Sequence, residues 1–211
     1  MTTVEATADP PGSRAVLMKA ASDLMIERGV IDVSLSEIGQ RARLNTALVK
    51  YYFGGKSGLM LALVRDVLGK ALVQMEGLVT MDLDPVIKLK LHIKGVINVY
   101  FRYPYVNRLI HAMLLDPVLG EEVAKTISRP LAETQRKLVE EGVRAGVLKP
   151  IDPMLFYFII LGACDHLFFS QHALRHAFGV HEIDDRLRRD YTDTLLDMVL
   201  NGLLLPPERV S

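Results

Sequence analysis

The stretch "LNTALVKYYFGGKSGL", Leu44–Leu59, places a capping asparagine, a short helix-forming run, three adjacent aromatics and the pair Gly54-Gly55 between two helical patterns. Upstream of it, Ser34 followed three residues later by Glu37 is a capping-box pattern that opens a helix over Leu35–Ala42. Asn45 caps the next helix, which runs to about Tyr51, and a longer one begins just beyond "GGKS" with Leu59, Leu63, Val67 and Leu68 at its apolar positions. Two helices of about two turns each, joined by Arg43-Leu44-Asn45, are a helix-turn-helix pattern. Leu35, Ile38, Ala42, Leu44, Leu48 and Val49 supply the small core that such a unit needs.

The second of these helices then projects Asn45, Thr46, Ala47, Lys50 and Tyr51 away from that core. Thr46 and Ala47 are short enough to approach base edges in a major groove, and Lys50 and the tyrosine hydroxyls can reach phosphates or bases. From Ser34 to Arg65 there are five basic residues, Arg41, Arg43, Lys50, Lys56 and Arg65, against Glu37 alone, in a chain whose 25 basic and 25 acidic residues cancel. A local excess in a neutral protein is the footprint of a face that meets a polyanion. Lys56 opens a helix, where free backbone N–H groups favour a phosphate. Arg43, Asn45, Thr46, Ala47, Lys50, Tyr51 and Lys56 are therefore the expected DNA-contacting residues. Phe53 and, to a lesser degree, Tyr52 read as core aromatics.

The stretch "LSEIGQRARLNTALVKYYFGGKSGL" resembles the helix-turn-helix signature of the tetracycline repressor (TetR) family of bacterial transcriptional regulators. The resemblance runs over about Arg14–Leu63 and is carried by the spacing from Ile38 to "YYF" to Lys56. It implies nine or ten helices, a divergent C-terminal ligand domain, homodimerisation through the last two long helices, and a repressor released from a DNA operator by a small effector. Two positions depart from the family pattern. Gly39 stands where alanine is usual, and Arg43-Leu44-Asn45 replaces a Gly-Val-Ser turn, which is tolerable if Arg43 adopts an ordinary helical or bridge conformation.

The remainder of the chain is also helical in pattern. Residues 1–12 are polar and read as a disordered arm, with Ser13 capping a helix over Arg14–Arg28 that Gly29 closes. Further helices are expected over Pro85–Tyr100, Tyr105–Leu114, Pro117 to about Arg144 with a kink or division at Pro130, Pro153–Phe169 and Asp184–Leu203. The expectation is an all-α protein with a helix-turn-helix domain over residues 13–58 and an effector-binding and dimerisation domain over 59–205.

"DPMLFYFIILGACDHLFFS" is apolar almost all round, so it either crosses the centre of its domain or has one face closed by a partner. Paired with "LRRDYTDTLLDMVLNGLL" from each of two chains it makes a four-helix bundle, with Phe158, Leu161, Asp165, Phe169, Tyr191, Leu195, Met198 and Val199 at the interface. Asn98, Tyr103, Asn107, His111, Asp165 and His166 interrupt apolar helices and are the expected polar contacts to a largely apolar effector.

Outside the first 65 residues 17 basic and 19 acidic residues leave no basic face for nucleic acid. Cys164, Asp165 and His166 are consecutive, but neighbours on a helix point about 100° apart and do not assemble a nucleophile and base. His172 and His176 share a helix spacing, with His166 or His181 nearby, but no cysteine cluster or recurring carboxylate spacing completes a site; neither a metal nor another cofactor is expected, and the segment reads as an exposed polar connector between the last helices. A single cysteine, no secretory leader and no apolar run long enough to span a membrane lead to the expectation of a cytoplasmic protein that is not an enzyme. The competing function is an all-α dimeric small-molecule-binding or interaction protein without sequence-specific DNA binding.

Overall fold

The computed structural model describes residues 12–204, so all but the last residue of the expected disordered arm, and Leu205, lie outside the described residues. The chain divides into two units between Val64 and Arg65.

In the first unit, α1 (Ser13–Arg28) starts one residue earlier than expected. Gly12 takes the cap position at φ 96°, and Ser13 is buried as the first helical residue. Gly29, at φ 64°, closes α1 as its sequence position indicates. The capping box opens α2 (Leu35–Ala42) in full: Ser34 Oγ accepts from the Glu37 amide at 3.2 Å, and the Glu37 carboxylate accepts from the Ser34 amide at 2.8 Å. That backbone N–H, with Arg28 and the Ser34 hydroxyl, holds the Glu37 carboxyl down at about 2.

Helix α3 (Ala47–Phe53) is entered through Asn45, whose Oδ1 accepts from the Ala47 amide at 2.8 Å. Helix α4 (Lys56–Thr80) begins inside "GGKS" rather than beyond it, because Gly54 (φ 75°) and Gly55 (φ 140°) turn the chain within two residues. Gly58 permits this tight passage, since a β-carbon there would lie 1.8 Å from the Phe53 carbonyl oxygen. Leu17, Ala21, Leu24, Ile38, Val49, Leu59 and Leu63 form the core of the unit. Leu35, Ala42, Leu44 and Leu48 are half-buried around it.

Arg43 corrects the reading of the turn. It sits at φ 54°, ψ 39°, in the left-handed region and not in a helical or bridge conformation. Among the described residues it is the one non-glycine with positive φ. The turn thus keeps the backbone that glycine would adopt while carrying a cationic side chain.

The second unit contains the rest of α4, then α5 (Pro85–Arg102), α6 (Pro104–Leu114), α7 (Pro117–Val123), α8 (Arg129–Arg144), α9 (Pro153–Phe169), α10 (Gln171–Phe178) and α11 (Asp185–Leu203). Asp-Pro pairs open α5, α7 and α9. Each aspartate accepts from the second and third helical amides, and each proline occupies the first helical position, where no N–H is needed. The expected division near Pro130 is a π-helical turn, Ala124–Ser128, which separates α7 from α8 and lets Pro130 fall in the first turn of α8. The segment read as a polar connector is itself helical as α10, and it buries no residue.

The core of this unit gathers α5, α8, α9 and α11 around Leu89, Ile93, Ile97, Phe156, Ile160 and Phe168. Lys88, only 3% exposed, is neutralised inside it by Glu141 at 2.7 and 3.0 Å and also donates to the Val79 carbonyl at 3.1 Å. The final turn of α11 is tied back by Lys149, whose amide donates to the Leu203 carbonyl at 2.7 Å.

Candidate functional site

Helix α3 leaves Asn45, Thr46, Ala47, Lys50 and Tyr51 exposed on one side, with Arg43 exposed just before them. Tyr51 is 76% exposed, whereas Val49 on the opposite side is fully buried. Tyr52 and Phe53 are half-buried, Phe53 beneath the Arg14 guanidinium, which lies 5.2 Å from the ring centroid. An aromatic with an exposed face and a hydroxyl, next to short side chains and a cation, is suited to groove contact.

Charge pairing sharpens this picture. The described part of the first unit holds four acidic residues, and each has a basic partner: Lys19 on Asp23 (2.6 Å), Arg41 on Glu27 (2.7 Å), Arg28 on Glu37 (2.5 Å) and Lys56 on Asp32 (2.8 Å). Arg41 spans Glu27 with two nitrogens. Arg14, Arg43 and Lys50 remain outside these ion pairs. Two of the three flank the exposed side of α3. Lys56, expected to meet a phosphate, faces Asp32, which is almost fully exposed and yields readily to a competing anion. Sequence reasoning passed over Arg14, whose position on α1 gave no signal in a pattern centred on the turn.

In the second unit the structure brings three of the expected effector contacts together. His111 Nε2 lies 2.8 Å from Asp165 Oδ2, and Asn107, fully buried, donates from Nδ2 to the Asp165 carbonyl at 3.2 Å. His111 also packs on Phe169. Asn98 stands apart, exposed, where it accepts from Arg188 at 2.7 Å, and Tyr103 occupies the junction of α5 and α6. His166 is exposed beside Ser170.

A separate apolar pocket, partly open to solvent, lies within this unit. Leu68, Leu72 and Met75 of α4, Val96 and Tyr100 of α5, and Ile110 of α6 form part of its wall. The wall is completed by Ile127, Ser128 and Leu131 from the π-helical turn and α8, and by Tyr157 and Leu161 of α9. No charged side chain lines it, and the six polar residues expected from sequence are not among its lining residues. Tyr100, Tyr157 and Ser128 are its hydroxyl-bearing lining residues, the last two joined by a hydrogen bond. Burial raises the pKa of both tyrosines, so both are neutral phenols. Tyrosines set in otherwise apolar helices were the available sequence signal for these walls.

Helix α9 divides into two apolar faces. Phe156, Tyr157, Ile160, Cys164 and Phe168 are buried, while Met154, Leu155, Phe158, Ile159 and Phe169 are exposed, Phe158 at 66%. On α11 the buried side is Thr192, Leu196, Leu200 and Leu203; Tyr191, Leu195 and Val199 are half-buried, and Met198 is 70% exposed. Helix α11 packs on α5 and reaches α9 through Tyr191, whose hydroxyl donates to the Ala163 carbonyl. Leu161 is half-buried against the cavity, and Asp165 turns toward His111. Burial pushes the Cys164 thiol up to about 12, which leaves it a packing residue. Among the described residues no group of three or more His, Cys, Asp or Glu is placed to hold a metal ion. No single described helix is long and apolar enough to cross a membrane; α9 and α10 reach that length only together and meet at a 65° bend.

Comparison with known proteins agrees with this arrangement. Residues 17–63 match the model of bacterial regulatory proteins of the tetR family, and residues 82–209 match the tetracyclin repressor-like C-terminal domain. The transcriptional regulator RutR of Escherichia coli is 26% identical over 155 residues, 72% of each chain. A TetR/AcrR-family regulator from Thermobifida fusca has the same fold, with a TM-score of 0.70 at 23% identity over 90% of this chain and 97% of its own. So does the regulator FadR of Bacillus subtilis in complex with stearoyl-CoA, with a TM-score of 0.69 at 16% identity over 89% and 98% of the two chains. With its head and its larger helical unit each matched, the chain belongs to the tetracycline repressor family of bacterial regulatory proteins.

Proposed function

We propose that the protein is a repressor that binds a palindromic operator as a homodimer and releases it when a largely apolar effector enters the cavity of the second unit. Family membership carries the coarser statement: a DNA-binding, ligand-responsive regulator, not an enzyme. The observation that favours operator binding is the pairing of every acidic residue in the described head, which leaves Arg43 and Lys50 available beside the exposed side of α3. In this reading Asn45, Thr46, Ala47 and Tyr51 face bases, and Arg43, Lys50 and Lys56 face the backbone. Lys56 exchanges Asp32 for a phosphate.

The homodimer reading is supported by the open apolar face of α9, since a helix with Phe158 and Ile159 in water is stabilised when a second copy covers it. In this reading Phe169 of the same helix, Tyr191, Leu195, Met198 and Val199 of α11, and Leu161 and Asp165 complete the interface. Two heads then address two half-sites. An apolar effector suits walls that carry no charge, and the related fold of FadR is known with stearoyl-CoA bound. Asn107, His111, Asp165, Asn98, Tyr103 and His166 act in this account as a polar surround through which occupancy alters helix positions.

The test is selection of genomic fragments by the immobilised protein, repeated with long-chain acyl compounds present. Recovery of fragments sharing an inverted repeat, reduced by one of the compounds, is the expected result. Recovery without any common motif contradicts operator binding.

A further inference from the structure

Helices α5 and α8 run antiparallel, and their facing residues form rungs. Lys88 pairs with Glu141, His92 with Gln135, and Val96 and Leu131 line the same cavity wall, as do Tyr100 and Ile127. Members are four apart from His92 through Val96 to Tyr100 on α5 and from Gln135 to Leu131 on α8, so they lie one above another on each helix face, and Ile127 follows in the π-helical turn. His92 and Gln135 do not themselves line the cavity; each stands one turn along its helix from a lining residue, Val96 on α5 and Leu131 on α8. His92 is 1% exposed and Gln135 fully buried.

The two side chains meet through Gln135 Nε2 and His92 Nε2 at 2.9 Å, and each keeps a second buried atom without a partner, His92 Nδ1 and Gln135 Oε1. If the amide donates to Nε2, the imidazole carries its proton on Nδ1, and the pair offers one free donor and one free carbonyl acceptor. If the amide is turned over, Nε2–H donates to the carbonyl, leaving a free amide donor and Nδ1 as acceptor. Either arrangement leaves one donor and one acceptor, in a place where unpaired polar groups are costly. Burial holds His92 neutral at physiological pH, its pKa lowered to about 4.

We propose that His92 and Gln135 anchor the polar end of the effector, and that the effector is an uncharged molecule with an apolar body and a terminal hydroxyl or carboxamide. The inference rests on the cavity being the effector site. A hydroxyl or carboxamide donates one hydrogen bond and accepts another, matching what the rung leaves open. An ether supplies no donor. An ionised carboxylate supplies no donor for the free acceptor either, and carries the desolvation cost of a buried charge.

The test is binding of four compounds of similar length, 1-octanol, octanamide, 1-methoxyheptane and octanoate, to the full-length protein at pH 7.5 by calorimetry. Octanol and octanamide are expected to bind roughly tenfold tighter than the ether and octanoate, the worth of about one hydrogen bond to a buried group. In Gln135→Met and His92→Phe, checked for folding by circular dichroism, octanol should bind no better than the ether. Equal binding of all four compounds by the wild type, as when a water molecule satisfies the rung, overturns the anchor and leaves the cavity as the effector site. Discrimination that persists in both folded variants also overturns the anchor. Failure of all four to bind removes the cavity reading and the anchor with it.

Discussion

The methyl group of Thr46 lies 2.7 Å from where a β-carbon on Gly39 would stand, with the Leu44 carbonyl oxygen at 3.0 Å from the same point. The residue that departs from the family pattern on α2 is thus the one that lets Thr46 fold back at the start of α3. Gly39→Ala gains about 1 kcal/mol of helix propensity and loses about 1–3 kcal/mol to overpacking, so its net stability stays within about 2 kcal/mol of wild type. The larger effect is on recognition. Thr46 must turn, and specific affinity should fall about fivefold, or about 1 kcal/mol, while nonspecific affinity is kept. Binding titrations on operator and random duplexes check this, and Thr46→Ser on the Gly39→Ala background should restore specificity by removing the methyl group.

Arg43 separates stability from binding. Its left-handed backbone costs about 1 kcal/mol in a non-glycine residue, so Arg43→Gly should raise unfolding stability by up to that amount, less the extra chain entropy of glycine. The same substitution removes an unpaired cation and should weaken binding to all duplexes. Urea melts and DNA titrations on one preparation read the two opposite signs.

Phe158 and Met198 are exposed in the single chain, so charging them does not open its core. Phe158→Asp or Met198→Asp should convert the proposed dimer to monomer while leaving helicity unchanged, because an unpaired carboxylate inside an apolar bundle costs several kcal/mol. Sedimentation over a range of concentrations decides it. A variant as tightly dimeric as wild type moves the interface to another surface. Leu195→Asp is a harsher test, because Leu195 is half-buried against its own core.

His92 makes stability depend on pH. Its folded pKa of about 4 lies below the ordinary histidine value of 6.5, so the unfolded chain binds the extra proton between those values. Stability from this group is therefore complete above about pH 6.5 and declines as pH falls toward 4, by about 3 kcal/mol in total. In His92→Gln the decline should flatten, with the neighbouring Lys88–Glu141 pair unchanged. Chemical melts at several pH values over that window check the slope.

The head was legible because its signals are local. The capping box at Ser34 and Glu37, the Asn45 cap and the glycines before Lys56 each act within a few residues, and each appears where its spacing places it. The backbone of Arg43 was not legible, since nothing in an arginine side chain calls for the left-handed region. The cavity escaped for a different reason. Polar interruptions drew attention to Asn98 and His166, whereas the walls are apolar residues brought together from five helices and a π-helical turn, and their convergence depends on long-range packing. The free face of α9 was foreshadowed by a helix apolar almost all round, but which of its residues stay exposed required the fold.

The most direct test of DNA binding by this head is the salt dependence of affinity for wild type and for Arg43→Gln/Lys50→Gln on an operator duplex. Removing two backbone contacts per protomer should lower the slope of log affinity against log salt by about two units for each bound head, with loss of affinity on random duplexes as well. An unchanged slope in a folded double variant would contradict the assignment of this face to DNA.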